Sequence, residues 1–519
     1  MTPNEPDHRN WTLPVLLIAV HSAIALPLSY ILNIWSDEAS TLYTTQHGFL
    51  AAFQNALADE RQAPLYFWIM GLWRDVSGSI FFARLFSILC CTAAIWFFCD
   101  LARRLFRRNI AIFACAFFAL HPYLIWASVE IRVYALVILL SVLILRSFWT
   151  GFVDAPIDGK TPPGTLIKFA VLAALSLYTN YYLAFVLGGC FAALVITKRS
   201  RSAKSYLMAA IAAGVVFLPL ILAVRSQYSV NTSAFMDPPT LLDGLRILWH
   251  HLITFILPAG ISPADDAAPM VVARLWIVRG IVAAVATASV FLAIRRRYPD
   301  EKSIILGAVT ISILGSLLFA YFTVGSPYVG IRHASVLFVP LILFAASIAG
   351  DVISKFIGNR GSIAVPLSIG LGLLAVIFFS YSLVSMYPNL AKRGDWARVG
   401  AYIRQNERPG QPIVVFTVFD ALALPYHYSG SNKILPGSRF FDFDQEAAAG
   451  TEESLARQTE YVISVFPQDA ETLWLVESEK CMAGDACRPL EKFVFANYTI
   501  DEEQDFYLER VFLLRKKTK

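Results

Sequence analysis

The chain has few charged residues for its length. Of its 519 residues, 16% are charged, whereas an average soluble protein has about 25%. Hydrophobic residues make up 57% of the sequence. This composition excludes a disordered chain, a coiled coil and a small disulfide-bonded scaffold. The apolar runs are unbroken and do not alternate, which also excludes a transmembrane β-barrel.

Several common sequence motifs are missing. The sequence has no Walker loop, no dinucleotide-binding glycine fingerprint and no Cys/His zinc pattern. The last part of the chain holds 20 of the 38 acidic residues but only 16 of the 43 basic ones. The basic excess therefore lies in the apolar part, where it is typical of cytoplasmic loops, so no nucleic-acid partner is expected.

Long apolar runs predict a polytopic α-helical membrane protein. A bilayer span needs about 20 mostly apolar residues, and the sequence contains about eleven such runs. They begin near residues 11, 79, 109, 132, 165, 181, 203, 270, 303, 333 and 363. The runs at 165 and 181 are short enough to form one broken hairpin. Segments 64–74 and 241–258 are shorter apolar stretches and are placed at the membrane interface.

The loop charges predict the orientation of the chain. Basic clusters at 103–108, 198–204 and 295–297 lie in alternate loops and are assigned to the cytoplasm. This places the N-terminus in the cytoplasm and the C-terminal part outside. The run at 11–32 could instead be a cleaved signal, although it continues apolar beyond the small-residue site.

The sequence divides into two predicted domains. Residues 1–391 form the membrane body, and residues 392–519 form a small α/β domain on the external, periplasmic face. Strand-like runs in this domain include PIVVF, EYVISVF and ETLWLVES, and WARVGAYIRQN is typical of an amphipathic helix. Cys481 and Cys487 lie in this domain and are predicted to form a disulfide, with free thiols or an incomplete metal site as alternatives.

Acidic residues at the external ends of spans are the candidate functional groups. Asp37 and Glu38 directly follow the first span, Glu60 lies in the next loop, and Glu130 lies among apolar residues at the end of the third span. Carboxylates at this depth are costly unless they are paired or functional. A structural alternative for Glu130 is an ion pair with Arg132 or with another loop cation. The Asp265-Asp266 pair is more typical of a solvated loop.

The order of motifs resembles a known enzyme family. The segments are WSDEAST, DERQAPLYFW, SIFFARLFSIL, HPYLIWASVEIRVYAL and LSLYTNYYLAF. Together they are similar to glycosyltransferase family 39, the bacterial relatives of protein O-mannosyltransferases and of the lipid A aminoarabinose transferase. The resemblance implies a GT-C membrane fold and a polyprenyl-phosphate sugar donor. It also implies an acidic residue in the first external loop, here Asp37, and a second acidic position, here Glu130.

The expected chemistry is transfer of a sugar to an acceptor hydroxyl. A carboxylate takes the hydroxyl proton, and Asp37 is predicted to be this general base, with Glu38 orienting a substrate or cation. The leaving phosphate needs positive charge, for which Arg132 and Arg332 are the favoured residues. Glu60 and Tyr134 complete the predicted substrate-binding set. Further candidate cations, each also explained by snorkelling at a helix end, are Arg84, Arg225, Arg246 and Arg274.

The expected partners are a polyprenyl-phosphate sugar, a lipid, glycan or protein acceptor, and membrane lipid. No cofactor and no metal ligand is predicted, and a divalent cation is compatible with the reaction but not required by it. His250-His251 is not favoured as a site, because adjacent residues point to different faces of a helix. The expected location is the bacterial inner membrane. The alternative function is a secondary transporter. Two features argue against it: the sequence has no internal repeat, and the charged residues of the spans cluster at one membrane face.

Overall fold

The computed structural model describes residues 11–58, 60–154, 161–232, 240–256, 300–325, 329–356, 361–416, 422–437, 451–478 and 487–518, with a few isolated residues between them. The chain folds into two compact units. The first holds the chain up to Tyr30 and most of Thr44–Met386, and the second holds Ile31–Tyr43 together with Tyr387–Lys519. The C-terminal segment of the second unit begins at Tyr387, whereas the boundary predicted from sequence is at residue 392, and the inclusion of Ile31–Tyr43 in this unit was not predicted.

Helices form almost all of the described chain up to Met386. They are α1 (Thr12–Ile31), α2 (Ser36–Thr44), α3 (Gly48–Ala58), α4 (Leu65–Arg74), α5 (Ile80–Leu105), α6 (Arg108–Leu120), α7 (Pro122–Ser128), α8 (Tyr134–Phe148), α9 (Pro163–Thr179), α10 (Leu183–Ile196), α11 (Ser200–Thr232), α12 (Leu241–Ile256), α13 (Glu301–Val324), α14 (Ser335–Phe356) and α15 (Gly361–Met386). A π-helical turn, Trp149–Val153, extends α8.

The chain is a polytopic helical membrane protein. Within the described residues, five helices are long and apolar enough to cross a membrane, or six if the bent pair α6–α7 counts as one span. Helices α9 and α10 are apolar but shorter. Each predicted span in the described residues begins within three residues of the first residue of an observed helix. The span predicted near residue 270 lies outside those residues, and the count of about eleven spans is not confirmed.

The break between α6 and α7 has a local cause. The two helices meet at an angle of 46°. Pro122 is the first residue of α7, where its missing N–H and fixed φ are tolerated, but it cannot continue α6. His121 caps the new helix by accepting a hydrogen bond from the Tyr123 backbone N–H at 3.1 Å. After the bend, the short helix α7 leads into the buried loop that carries Glu130 and Arg132.

Small residues allow helices in the first unit to pack closely. A Cβ atom at Gly189 in α10 would lie 3.0 Å from the Val309 carbonyl oxygen of α13. A Cβ atom at Gly307 would lie 2.9 Å from the Phe344 ring of α14. Glycine at both positions lets the helix backbones approach each other, as is common among membrane helices. This packing gives the first unit a helical core that does not depend on water.

A five-stranded mixed sheet forms the centre of the second unit. Its strands are β1 (Ile413–Phe416), β2 (Ile434–Leu435), β3 (Thr472–Ser478), β4 (Tyr498–Asp505) and β5 (Glu509–Lys516), in the order β2-β1-β3-β5-β4. Strand β1 is parallel to β2 and β3, whereas β5 is antiparallel to β3 and β4. The helices of this unit include α16 (Trp396–Asn406), α17 (Glu452–Val465) and α18 (Arg488–Asn497).

One predicted strand of the second unit is a helix. EYVISVF was predicted to be a strand, but all of it except the last residue lies in α17. Tyr461, Val462 and Val465 are buried there at the spacing of a helix face, and Thr451 caps the first turn by accepting from the Ser454 N–H at 3.1 Å. The segment therefore forms a capped helix with one buried face, although its short alternating pattern predicted a strand.

The structure also joins Cys481 and Cys487 in a disulfide, and both residues pack into the core of this unit.

Candidate functional site

The first candidate group lies on α2 in the second unit. Asp37 and Glu38 occupy the first turn of this helix, where negative charge is stabilised by the helix dipole. Asp37 is half-buried, whereas Glu38 is fully buried. The two neighbouring carboxylates thus have different surroundings, because adjacent residues on a helix point in directions about 100° apart.

Lys392 is the cation beside Glu38. Its ammonium nitrogen lies 2.9 Å from a Glu38 carboxylate oxygen, and the exposed fractions of the two side chains are 3% and 0%. Lys392 was not predicted from sequence, since it lies in the segment KRGDW with no motif around it. The one sequence feature that marks Lys392 is its position at the start of the predicted C-terminal domain.

The second candidate group lies in the first unit, in the loop between α7 and α8. Glu130 is fully buried at the centre of this loop. The Ser87 hydroxyl of α5 donates a hydrogen bond to the Glu130 backbone carbonyl at 2.6 Å and fixes the loop. Ser87 was not predicted from sequence, since its role is to hold the backbone. Glu130 lies in a different unit from Asp37, and their convergence on one pocket stays a prediction.

Arg132 forms an ion pair with Glu60. The guanidinium Nη1 lies 3.0 Å from a Glu60 carboxylate oxygen, and the exposed fractions of the side chains are 8% and 5%. The other Glu60 oxygen accepts a hydrogen bond from the Thr44 hydroxyl at 3.2 Å. The predicted binding residues Glu60 and Arg132 are therefore brought together, and this pair fixes the direction of the guanidinium.

Aromatic rings cover the same loop. Tyr134, the first residue of α8, stacks on Trp126 with ring centroids 5.0 Å apart, and Trp126 stacks on Tyr123 at 5.2 Å. The Tyr123 hydroxyl also contacts the Ser335 hydroxyl at 2.6 Å. Tyr134 is thus held in an aromatic stack, and Tyr123 is a supporting residue that sequence analysis missed although it stands in the HPY motif.

Arg332 lies in the loop that precedes α14. It is half-buried, and the Tyr123 hydroxyl donates to the neighbouring Ile331 carbonyl at 3.3 Å. Tyr123 therefore connects the loop of Arg332 to α7, which leads into the loop of Glu130 and Arg132. The geometry places both favoured arginines in the first unit and ties their loops to one helix.

Other predicted candidates have structural partners or lie outside the description. Arg84 is fully buried and donates to the Ser29 carbonyl at 2.9 Å, and exposed Arg246 pairs with Asp243 at 3.0 Å. The His251 Nε2 lies 2.5 Å from the Val329 carbonyl oxygen. Arg225 is exposed on α11. Residues 265, 266 and 274 lie outside the described residues.

A metal site is not evident in the described part of the chain. There, no group of three or more His, Cys, Asp or Glu side chains is arranged to hold an ion. The charged groups that the structure does bring together are carboxylate–cation pairs. Such an arrangement can orient a carboxylate and an arginine toward a substrate.

One family model matches part of the sequence. Residues 61–224 match the model described as dolichyl-phosphate-mannose-protein mannosyltransferase. The matched segment contains Glu130, Arg132 and Tyr134 but not Asp37, Glu38 or Arg332. No match was found among curated proteins.

Solved structures share the fold along nearly the full chain. ArnT from Cupriavidus metallidurans, bound to undecaprenyl phosphate, matches with a TM-score of 0.51 at 14% identity, covering 97% of this chain and 98% of that one. The Archaeoglobus fulgidus oligosaccharyltransferase, in complex with Zn and sulfate, matches with a TM-score of 0.53 at 11% identity, covering 92% and 69%.

The resemblance expected from the sequence motifs is confirmed. The family match and the shared fold agree with a chain similar to glycosyltransferase family 39 and to GT-C membrane glycosyltransferases. At these identities the structural likeness establishes the fold. The reaction has to be argued from the residues of this chain.

Proposed function

We propose that the chain is a membrane glycosyltransferase that moves a sugar from a polyprenyl-phosphate donor to an acceptor hydroxyl. One observation carries the choice of base: Asp37 is half-buried, whereas Glu38 and Glu130 are fully buried and the Glu60 side chain, 5% exposed, is paired with Arg132. A general base must reach the proton that it takes. Among the predicted acids, Asp37 has the carboxylate that an acceptor can approach.

The proposed step is a displacement at the anomeric carbon. The acceptor hydroxyl oxygen bonds to that carbon as the bond to the phosphate oxygen breaks. The bonding electrons leave with the polyprenyl phosphate, and the hydroxyl proton passes to the Asp37 carboxylate. Because phosphate is a stable leaving anion, this step requires no general acid. A positioned base contributes about 10²- to 10⁴-fold to such a reaction.

Arg132 and Arg332 are proposed to bind the donor phosphate. A guanidinium matches phosphate oxygens with two parallel hydrogen bonds, and its charge stabilises the leaving anion. Glu60 holds Arg132 at 3.0 Å, so the guanidinium is oriented before substrate binds. Tyr134, two residues after Arg132, is held in a buried stack with Trp126, and aromatic rings of this kind suit sugar or isoprenoid groups. In this proposal Glu60 and Tyr134 shape the site, and Glu130, which is fully buried in the same loop as Arg132, orders that arginine.

The proposed reaction takes place at the outer face of a bacterial inner membrane. The predicted acceptors are a lipid, a glycan or a protein that displays a hydroxyl there. The chemistry needs no cofactor, because the donor already carries an activated sugar. The similarity to a structure bound to undecaprenyl phosphate supports a polyprenyl-phosphate donor.

A donor-release assay tests the proposed function. Purified protein in lipid nanodiscs would receive undecaprenyl phosphate carrying mannose, glucose or aminoarabinose, with a bacterial envelope extract as acceptor. We expect release of undecaprenyl phosphate from at least one donor and transfer of its sugar to the extract. If no donor is consumed and undecaprenyl phosphate itself does not bind, the proposed function is wrong.

The assignment of the base gives the first prediction. Asp37→Asn keeps the size of the side chain but cannot accept the acceptor proton, so kcat should fall about 100-fold or more. Binding of undecaprenyl phosphate should stay near the wild-type value, measured by native mass spectrometry. The matched control is Asp243→Asn, an exposed acid on α12 that is not part of the proposed site. Near-normal transfer by Asp37→Asn would move the search to Glu130.

A further inference from the structure

The segment before Asp37 is held by the start of the C-terminal part of the chain. The Asn33 amide donates to the backbone carbonyls of Lys392 and Gly394 at 3.1 and 2.9 Å, and its oxygen accepts from the Lys392 N–H at 2.7 Å. Asn33 and Lys392 are 359 residues apart in sequence. One buried side chain thus binds three backbone groups of a distant segment, which fixes the register between the two.

Two further contacts fix the same stretch. The Arg393 guanidinium lies over the Trp35 ring, 4.3 Å from its centroid, a favourable cation–π distance. The Ile34 backbone N–H donates to the His427 Nε2 at 3.1 Å. Every residue from Asn33 to Trp35 therefore has a partner in the C-terminal part of the second unit.

The segment 392–395 is in turn fixed to the sheet. A carboxylate oxygen of Glu509, on β5, accepts from the Asp395 N–H at 2.5 Å, and both residues are buried. Gly394 has φ +110°, and a Cβ atom there would collide with the Glu509 carboxylate. The backbone at this point is therefore set by the sheet, and a side chain at position 394 would disturb it.

The Glu38–Lys392 ion pair completes this connection, one residue from Asp37. Both side chains are buried, so removing the lysine would take away the ammonium group that this buried carboxylate contacts at 2.9 Å. That carboxylate would turn toward water, and α2 would rotate or unwind at its first turn. Because Asp37 lies in the same turn, its carboxylate would move as well.

We propose that Lys392 is a positioning residue for the transfer reaction: by holding Glu38, it fixes the direction in which Asp37 presents its carboxylate. This inference rests on the proposed function, because it concerns the same reaction. It gives Glu38 a different role from the predicted one of orienting a substrate or cation. It also makes the C-terminal part of the chain a component of the active centre.

The test is a double-mutant cycle in the donor-release assay. Lys392→Met should lower kcat about 10- to 100-fold, since a displacement of about 1 Å at a reacting group has effects of this size. KM for the donor should change less than about threefold, because binding and positioning are separate effects. Combining it with Glu38→Gln removes the uncompensated charge and should restore most of the lost kcat.

Arg398→Met is the matched control. Arg398 pairs with Asp395 in the same segment, but 54% of its side chain is exposed. Its loss should leave kcat unchanged, because exposed ion pairs contribute little. A large effect of Arg398→Met would show that any disturbance of this segment stops the reaction, which would contradict a specific role for Lys392.

Hydrogen exchange separates positioning from loss of folding. In Lys392→Met, amides of residues 31–43 should exchange faster, while those of β3 and β5 keep their wild-type rates. In the double variant, residues 31–43 should regain protection. If Lys392→Met is poorly folded, amides throughout the sheet will exchange rapidly. The double variant Lys392→Met/Glu38→Gln is then the deciding test. The proposal is overturned if that variant folds but does not transfer.

The outcomes distinguish this inference from the proposed function. An inactive wild-type protein that consumes none of the three donors would count against the proposed function. An active wild type together with an equally active Lys392→Met would overturn the role of Lys392 and leave the transferase intact. A double variant as slow as Lys392→Met would also overturn it, because Glu38 would then have a role of its own in the reaction.

Discussion

At the scale of single residues, buried charge in this chain is stabilised by partners that are distant in sequence. Glu60 pairs with Arg132, and Glu38 pairs with Lys392, with every one of these side chains at most 8% exposed. A pair of this kind costs desolvation energy that its own attraction only partly offsets. Such pairs are therefore weak evidence for stability but strong evidence that the position of each group matters.

The Glu60–Arg132 pair gives a prediction about stability. Arg132→Met would take away the guanidinium that the buried Glu60 carboxylate contacts at 3.0 Å, so we expect the free energy of unfolding to fall by about 3–5 kcal/mol. The matched control is Arg246→Met, because Arg246 forms an exposed pair with Asp243 and should contribute less than about 1 kcal/mol. Unfolding of the purified variants in detergent, followed by circular dichroism, measures both.

The result depends on the partner that remains. Adding Glu60→Gln to Arg132→Met should recover much of the stability, since the uncompensated carboxylate is removed. Equal losses from Arg132→Met and Arg246→Met would contradict the importance of burial for this pair.

Individual candidate residues could be proposed from sequence where a motif surrounds them. Asp37, Glu38 and Glu130 lie at the ends of predicted spans, and this position together with the resemblance of their motifs made them candidates. The partners could not be predicted in the same way. The contact between Glu38 and Lys392 depends on how distant segments pack, and no local sequence pattern encodes that distance.

At the scale of elements, the buried strand β3 contains an unusual acidic residue. Glu477 lies beside Phe416 of β1 and opposite Arg510 of β5 in the sheet. Burial, together with the carboxylates of Glu491 and Glu503, raises the pKa of Glu477 to about 7 against the attraction of Arg510. A neutral carboxyl is therefore the form that the folded strand favours.

This pKa predicts how stability depends on pH. Below the ordinary pKa of 4.5, Glu477 is neutral in both folded and unfolded chains, and its stabilising effect is fully present. As the pH rises through about 7, the unfolded chain releases the proton more easily, and the effect is lost. The loss should be at most about 3 kcal/mol.

Glu477→Gln should remove this pH dependence. Thermal unfolding of the full-length variant in detergent, compared at pH 5 and pH 8, should show a smaller decrease at high pH than the wild type. Glu460→Gln is the control, because Glu460 is an exposed residue of α17. If both variants keep the wild-type decrease, Glu477 does not titrate in this range.

Long elements could be predicted from sequence more easily than short ones. The predicted start of α5 at residue 79 agrees with the observed Ile80, because an apolar run of that length has few alternatives. In the second unit the two-residue strand β2 and the helix α18 were missed, and α17 was predicted as a strand. Short amphipathic segments fit both the helical and the strand period of apolar residues, and the tertiary packing decides which structure forms.

At the scale of the whole molecule, the composition of the second unit constrains the path through the membrane. Ile31–Tyr43 and Tyr387–Lys519 form one compact unit, so we expect them to lie on the same side of the membrane. This expectation requires the chain between Tyr43 and Tyr387 to cross the membrane an even number of times. The predicted topology of about eleven spans has ten crossings after the first span and meets this condition.

Which side the second unit occupies is the last prediction. Basic residues in the loop between α5 and α6, and in those at 198–204 and 295–297, favour a cytoplasmic location for these loops. Alkaline phosphatase fused after Lys519 should therefore be active in the periplasm, while a fusion after Arg108 should be inactive. Since Asp37 and Lys519 share a unit, the same experiment locates the proposed base. Activity of the Arg108 fusion alone would place Asp37 in the cytoplasm, and a donor presented at the outer face could not reach it.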